Sequence, residues 1–378
     1  MQRKNWIAIH RWLGLCSGLV VIILGITGCL FAFEKEIYES LYHDHLVLES
    51  IPDNAQTKPL AELIFNVEKK WGAKYKVDRV IADQNPYKSW KFQAYEIDKK
   101  AWNYFDEYKL YQTVYVNPFT AEILKDENTK MQFFTLVKML HWSLWLSTSI
   151  GQPIVGTATL IFVLLLFTGI ILWWPNSKNK KAWSKRFKMK VNGTRKRFNY
   201  DLHNVLGFYV FSVALIIGIT GLVMAFKWMM YSVYFVSNGA SVERSEIVIP
   251  ILDSTILSKN LTSTEKIFLS CQNQFKDATQ ISISIPQNEQ DSVCNVFVNL
   301  NEGTYYKNHR LKYNLHKLEG ISASFHDQKN GAERLLEMNY DIHIGAIGGI
   351  GGKILAFLVS FVCTSLPITG FIIWWNKK

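Results

Sequence analysis

Four histidines are the residues of this sequence best suited to chemistry. They sit in IHRWLG around His10, MLHWSLW around His141, DLHNVLG around His203 and DIHIGAIGG around His343, each near the start of a long apolar stretch. A titratable ring at the mouth of a membrane helix is costly to place there, so by default it suggests a function. Neutral imidazole is a good axial ligand for haem iron, and histidines on facing helices are a usual way for a bundle to build such a site. Set in matched positions, His10, His141, His203 and His343 read as the axial ligands of two haems.

The elements that must position them are membrane helices. Residues 6–33, 153–174, 205–226 and 353–375 are each long enough to cross a hydrocarbon core of roughly 30 Å. Trp173–Trp174 and Trp374–Trp375 stand at span ends, where interfacial aromatics belong. The Arg3-Lys4 start followed by an apolar run resembles a signal peptide, but the run is too long and lacks a small-x-small cleavage site, so it is expected to remain as a span.

A net charge of +11 raises the question of nucleic acid, and the distribution answers it. Between Pro175 and Tyr200 lie ten basic residues (Lys178, Lys180, Lys181, Lys185, Arg186, Lys188, Lys190, Arg195, Lys196 and Arg197) and no acid. Arg3, Lys4, Lys377 and Lys378 flank the two ends. Positive charge collects on the cytoplasmic side, so both termini and this loop are expected inside, with 34–132 and 232–340 outside. The basic loop then touches anionic lipid headgroups of the bilayer, and no nucleic-acid partner is expected.

The spans repeat. His10-x-x-Leu13-Gly14, Gly25-Ile26-Thr27-Gly28 and Ala32-Phe33 recur as His203-x-x-Leu206-Gly207, Gly218-Ile219-Thr220-Gly221 and Ala225-Phe226, every position offset by 193. Thr168-Gly169-x-x-x-Trp173-Trp174 recurs as Thr369-Gly370-x-x-x-Trp374-Trp375. The chain reads as a duplicated unit of span, external domain and span. With an even number of spans per unit, the halves share one orientation, and a pseudo-twofold along the membrane normal is expected. That symmetry pairs His10 with His203 near the inner surface and His141 with His343 near the outer one.

Helix geometry adds glycines to the inner site. Gly14 and Gly28 lie at i+4 and i+18 from His10, nearly on its face, as Gly207 and Gly221 do for His203. A porphyrin against a helix needs such small neighbours, although a seam for close helix packing uses them too. About ten residues separate His141 and His343 from their apolar cores, so a kink or short re-entrant turn is expected through Gly151-Gln152-Pro153 and through Gly348–Gly352. Arg11, Lys138 and Lys353 stand near the sites as partners for haem propionates, or as snorkelling lipid contacts. Catalytic residues beyond the haem ligands are not indicated.

The external segments read as small α+β modules. Helical patterns cover 59–71 and 264–275, and strand patterns cover 88–97, 111–116, 280–286 and 294–300. Cys271 and Cys294 share one external segment, where an oxidising compartment permits a disulfide, while Cys16, Cys29 and Cys363 read as packing residues in spans. No CxxC, flavin motif or dinucleotide loop occurs. His43-Asp44-His45 offers a weaker metal site, more readily a solvated loop.

The whole chain resembles the PepSY-associated transmembrane helix family. Tyr115-Val116-Asn117-Pro118-x-Thr120-Ala121-Glu122-Ile123-Leu124 is similar to the closing strand-turn-strand of a PepSY module, VYVDP-x-TGEVL, with Asn117 for Asp and Ala121 for Gly. Leu140-His141-Trp142, Gly151-x-x-x-Val155-Gly156 and Thr168-Gly169-x-x-x-Trp173-Trp174-Pro175 are close to the family's span signature. The second external segment matches much less well. The resemblance implies a multi-pass protein of a bacterial inner membrane, two non-covalent b-type haems, and ferric-siderophore reductase activity. Its acceptor would be a ferric siderophore or other iron chelate, its donor a separate cytoplasmic protein or a quinol.

The expected fold is therefore a four-helix transmembrane bundle of two pseudo-symmetric halves with small PepSY-like extracytoplasmic domains. It divides into a first span (1–33), a PepSY-like domain (34–132), a second span with its preceding histidine segment (133–174), a basic loop (175–200), a third span (201–231), a second external domain (232–340) and a fourth span (341–378). Two haem-free readings compete, a PepSY-bearing binding or sensor protein and a transporter. The lack of acidic residues inside the spans counts against a proton-coupled transporter.

Overall fold

The structure is a computed structural model, and it describes residues 2–51, 56–72, 74–175, 179–287 and 292–376. Lys178, Lys377 and Lys378, and the side chains of Lys180 and Lys181, lie outside the described residues. Among the described residues four helices are long and apolar enough to cross a membrane: Arg3–Ala32, Thr148–Trp173, Arg195–Ala225 and Ala346–Trp375. Each starts before the apolar core recognised in the sequence, because a helix continues through polar residues once its apolar stretch is anchored. The first and third spans both pack against the second and the fourth, and so occupy opposite corners of the bundle.

The histidines at 141 and 343 lie on separate short helices. Phe133–Ser143 carries His141 and ends in a turn where Leu144 and Trp145 take left-handed φ of 57° and 58°. Gly331–His343 carries His343 and ends at Gly345, with φ 79°. In both corners the short helix and the following span touch backbone to backbone. A Cβ at Gly151 would collide with the carbonyl of Ser143, and one at Gly345 with that of Gly352. The glycines are thus required where the chain doubles back, but the turns themselves lie earlier than expected, at 144–147 and 344–348, while 151–153 and 349–352 are helical.

Outside the bundle the chain forms one antiparallel sheet of eight strands in the order β4-β3-β2-β1-β5-β6-β7-β8. The strands are β1 (Arg79–Asp83), β2 (Trp90–Ile97), β3 (Tyr108–Val116), β4 (Ile123–Glu127), β5 (Gln280–Ser284), β6 (Val293–Asn299), β7 (Asn308–Asn314) and β8 (Glu319–Ser324). The two external segments are therefore not separate modules, which corrects the reading from sequence. β1 and β5 pair through the register Val80↔Ile283 and Ala82↔Ile281, covering what would be the exposed edge of each half.

One face of this sheet carries a common core. Leu63 and Val67 from the helix Leu60–Lys70 and Ile267, Phe268 and Cys271 from the helix Ser263–Gln274 pack on Phe92, Val114, Ile283 and Val296. The other face is polar and turns toward the bundle. There Tyr38, just beyond the first span, meets the Tyr115 hydroxyl at 2.5 Å, and Arg310 meets Glu337 of the His343 helix at 3.5 Å.

Two cysteine and histidine readings are corrected by this packing. Cys271 and Cys294 are unbridged: Cys271 faces the Tyr313 hydroxyl at 3.7 Å, and Cys294 donates to the Ser284 carbonyl at 3.4 Å. Burial pushes both thiols up to about 12, the behaviour of inert core residues. His43 is exposed while His45 is buried against the Tyr115 ring at 4.5 Å, so the two do not converge on a metal.

Asn117 closes the β3–β4 turn by accepting from the amides of Phe119 at 2.9 Å and Thr120 at 3.3 Å. Ala121 follows with φ 64°, the left-handed conformation for which the PepSY motif carries glycine. Ala121→Gly is expected to raise stability by about 1 kcal/mol, since relief of the Cβ clash slightly exceeds the entropy cost of glycine. Thermal unfolding in detergent checks it, and a lower melting temperature would refute it.

Candidate functional site

The bundle places the histidines in two pairs at two levels. His10 on the first span faces His203 on the third, with ring centres 6.2 Å apart and planes at 89°. His141 faces His343 with centres also 6.2 Å apart and planes at 70°. An imidazole bound to a metal at about 2 Å has its ring centre roughly 3 Å from the ion, so an ion held between two opposed rings sets their centres roughly 6 Å apart. Both pairs have that spacing.

Each ring is held by its Nδ1 edge. His10 Nδ1 lies 2.8 Å from Thr168 Oγ1 and His203 Nδ1 lies 2.9 Å from Thr369 Oγ1. In the other pair, His141 Nδ1 is 2.8 Å from Thr27 Oγ1 and His343 Nδ1 is 3.0 Å from Thr220 Oγ1. Among the described residues the hydrogen bonds of all four rings run through Nδ1, and all four histidines line cavities. His203 sits on a π turn, Leu202–Leu206, which interrupts the third span where the first span is regular. Such turns are frequent at functional sites.

A cavity of about 390 Å³ contains His10 and His203, and a second of about 300 Å³ contains His141 and His343. Gly14 and Gly207 line the first. Gly28 and Gly221 do not; they line the second. Eighteen residues along a helix return almost to the same face but climb roughly 27 Å, so the assignment of these two glycines to the inner histidines is corrected. The first cavity has Gly169 and Gly370 in the corresponding role.

Of the cations singled out in sequence, Arg11 lines the first cavity and Lys138 the second. Lys353 is removed from consideration because its ammonium is bound by Glu36 at 2.7 and 2.9 Å. Sequence reasoning missed Arg3, which lines the first cavity and donates to the Leu172 carbonyl at 2.6 Å. It also missed the threonines. A Thr-Gly pair in every span was the available signal, and its partner histidines lie more than a hundred residues away.

The donor set and the space agree with haem. Each pair offers two imidazoles at the spacing an axially held iron requires, and a Cβ on Gly14 would meet nothing nearer than Leu165 Cδ2 at 4.0 Å, so the wall there is left open by glycine.

Fold and cavities together define a four-helix membrane protein with an antiparallel sheet domain at one end and two histidine-paired cavities in its bundle. The chain belongs to the family described as PepSY-associated TM region, which matches residues 7–377. No curated protein sequence matches it.

Proposed function

We propose that this protein is a transmembrane electron conduit holding two b-type haems, which reduces a ferric chelate of the siderophore type on the sheet-domain side. One observation carries the reading: two pairs of facing imidazoles, each 6.2 Å between centres, at two levels of one bundle. Bound between them, haem iron supplies one-electron redox chemistry. His10 and His203 hold the inner group, and His141 and His343 the outer. Arg3 and Arg11 at the inner cavity and Lys138 at the outer offer charge to propionates. Val21 and Phe162 line both cavities, so little protein separates them, as electron transfer requires. The polar face of the sheet, turned toward the outer cavity, is where the acceptor would be held.

The halves then relate by a pseudo-twofold along the membrane normal, supported by the 193-residue repeat and the mirrored strand order. The site is the bacterial inner membrane, with both termini and the basic loop 175–200 in the cytoplasm. The donor is a cytoplasmic protein or a quinol.

A visible spectrum of protein purified after expression with ample haem, before and after dithionite, tests the conduit. Reduced b-type bands with two haems per chain are expected, and haem content near zero overturns the reading. For the orientation, a Lys190→Cys variant should resist an impermeant thiol reagent in intact cells while Lys100→Cys is labelled; the reverse pattern inverts it.

A further inference from the structure

We propose that Thr27, Thr168, Thr220 and Thr369 are positioning residues that set the tautomer and the crossed ring planes of the four histidines. The proposal rests on the haem reading above. A threonine hydroxyl has one proton, and in each case a carbonyl of its own helix takes it. Thr27 donates to Ile23 at 2.7 Å, Thr168 to Leu165 at 3.1 Å, Thr220 to Ile216 at 2.9 Å and Thr369 to Ser365 at 2.9 Å. Toward histidine each hydroxyl can then only accept, so Nδ1 carries the proton and Nε2 carries the lone pair. His343 gives a separate indication. Its Nδ1 also lies 3.1 Å from the Ile217 carbonyl, which has no proton to give.

The glycine after each threonine completes the device. A Cβ added at Gly28 or Gly169 would stand 3.6 Å from the Cε1 of His141 or His10, and at Gly221 or Gly370 3.4 or 3.2 Å from that of His343 or His203. The ring thus lies against bare backbone while the neighbouring hydroxyl grips its edge. Because the two rings of a pair are gripped by different spans, their planes are fixed independently, and they cross at 89° and 70°.

Two properties follow for a bound haem. Crossed axial imidazoles give a low-spin ferric iron a strongly anisotropic EPR signal, whereas parallel planes give a rhombic one. An acceptor on Nδ1–H also makes the imidazole a stronger donor, which lowers the reduction potential.

The experiment compares Thr369→Val and Thr369→Ser in the purified holoprotein, with Thr27→Val and Thr27→Ser as the equivalent pair at the other site. The valine variants should keep both haems by optical spectrum, show an upward shift of one potential, and lose the strong anisotropy of one EPR signal. The serine variants should restore both properties, because serine keeps the hydroxyl. A change of mere packing would move neither potential nor g-values and would not depend on the hydroxyl. Valine variants indistinguishable from wild type in both readouts overturn the positioning role while leaving the conduit intact. Wild-type protein without haem overturns the conduit and this role with it. Nitrogen-15 spectra of histidine-labelled, haem-depleted protein should show the Nδ1–H tautomer, and a predominant Nε2–H tautomer overturns the assignment without reference to activity.

Discussion

His141→Ala protein should purify with one haem per chain instead of two and should no longer reduce an external ferric chelate above background. His141 and His343 are the two imidazoles of the outer cavity, and each of the four rings is held by a different threonine. Removing one ring leaves the outer iron with a single protein ligand, while His10 and His203 keep their own partners, Thr168 and Thr369. The remaining haem should stay reducible from the basic-loop side. His10→Ala is the mirror case: transfer across the membrane also fails, but an outer haem persists that added external reductant still reaches. Haem content by pyridine haemochrome and chelate reduction in vesicles give the two readouts. A His141→Ala variant retaining both haems would move the outer ligand to another residue.

Gly14→Phe should empty the inner site while leaving every histidine in place. The position opens on the cavity, with Leu165 Cδ2 at 4.0 Å as the nearest atom to an added Cβ. A phenyl ring there occupies the space a porphyrin needs, so one haem per chain should be lost. The sign of the stability change separates this from ligand loss. His141→Ala deletes buried atoms and should destabilise the haem-free protein. Gly14→Phe fills apolar space and removes a helical glycine, which should stabilise the haem-free protein by about 1–3 kcal/mol. Thermal unfolding of the two haem-free variants should therefore move in opposite directions. A Gly14→Phe protein with both haems bound would show that the cavity is not the haem site.

What could be read from the chain depended on how local each signal was. His10, His141, His203 and His343 stand out because a polar ring is conspicuous in an apolar run, and the run itself announces a span. Thr27 and its three counterparts are unremarkable by that standard, since threonine satisfies itself on its own helix. Only the fold shows what approaches the hydroxyl from the side. Gly28 reads from sequence on the face of His10 but lies at the height of His141, because a helical wheel gives direction and discards distance along the axis. Lys353 reads from sequence as a propionate partner or a snorkelling lipid contact, because its actual partner Glu36 is more than three hundred residues away. The pairing of β1 with β5 was invisible for the same reason. Each strand is five residues of ordinary alternating pattern, and nothing in Arg79–Asp83 names Gln280–Ser284 as its neighbour.

Every histidine pair takes one ring from residues before the basic loop and one from residues after it. Neither half of the chain, alone, owns a complete site. A chain carrying a single unit of two spans and four strands would hold half of each ligand set until it met a second copy, and its exposed β1 edge would be the natural place to meet it. Carrying both halves on one chain makes that encounter intramolecular. The histidine pairs then form at any protein concentration, and one half can carry a feature the other lacks, such as the π turn at His203.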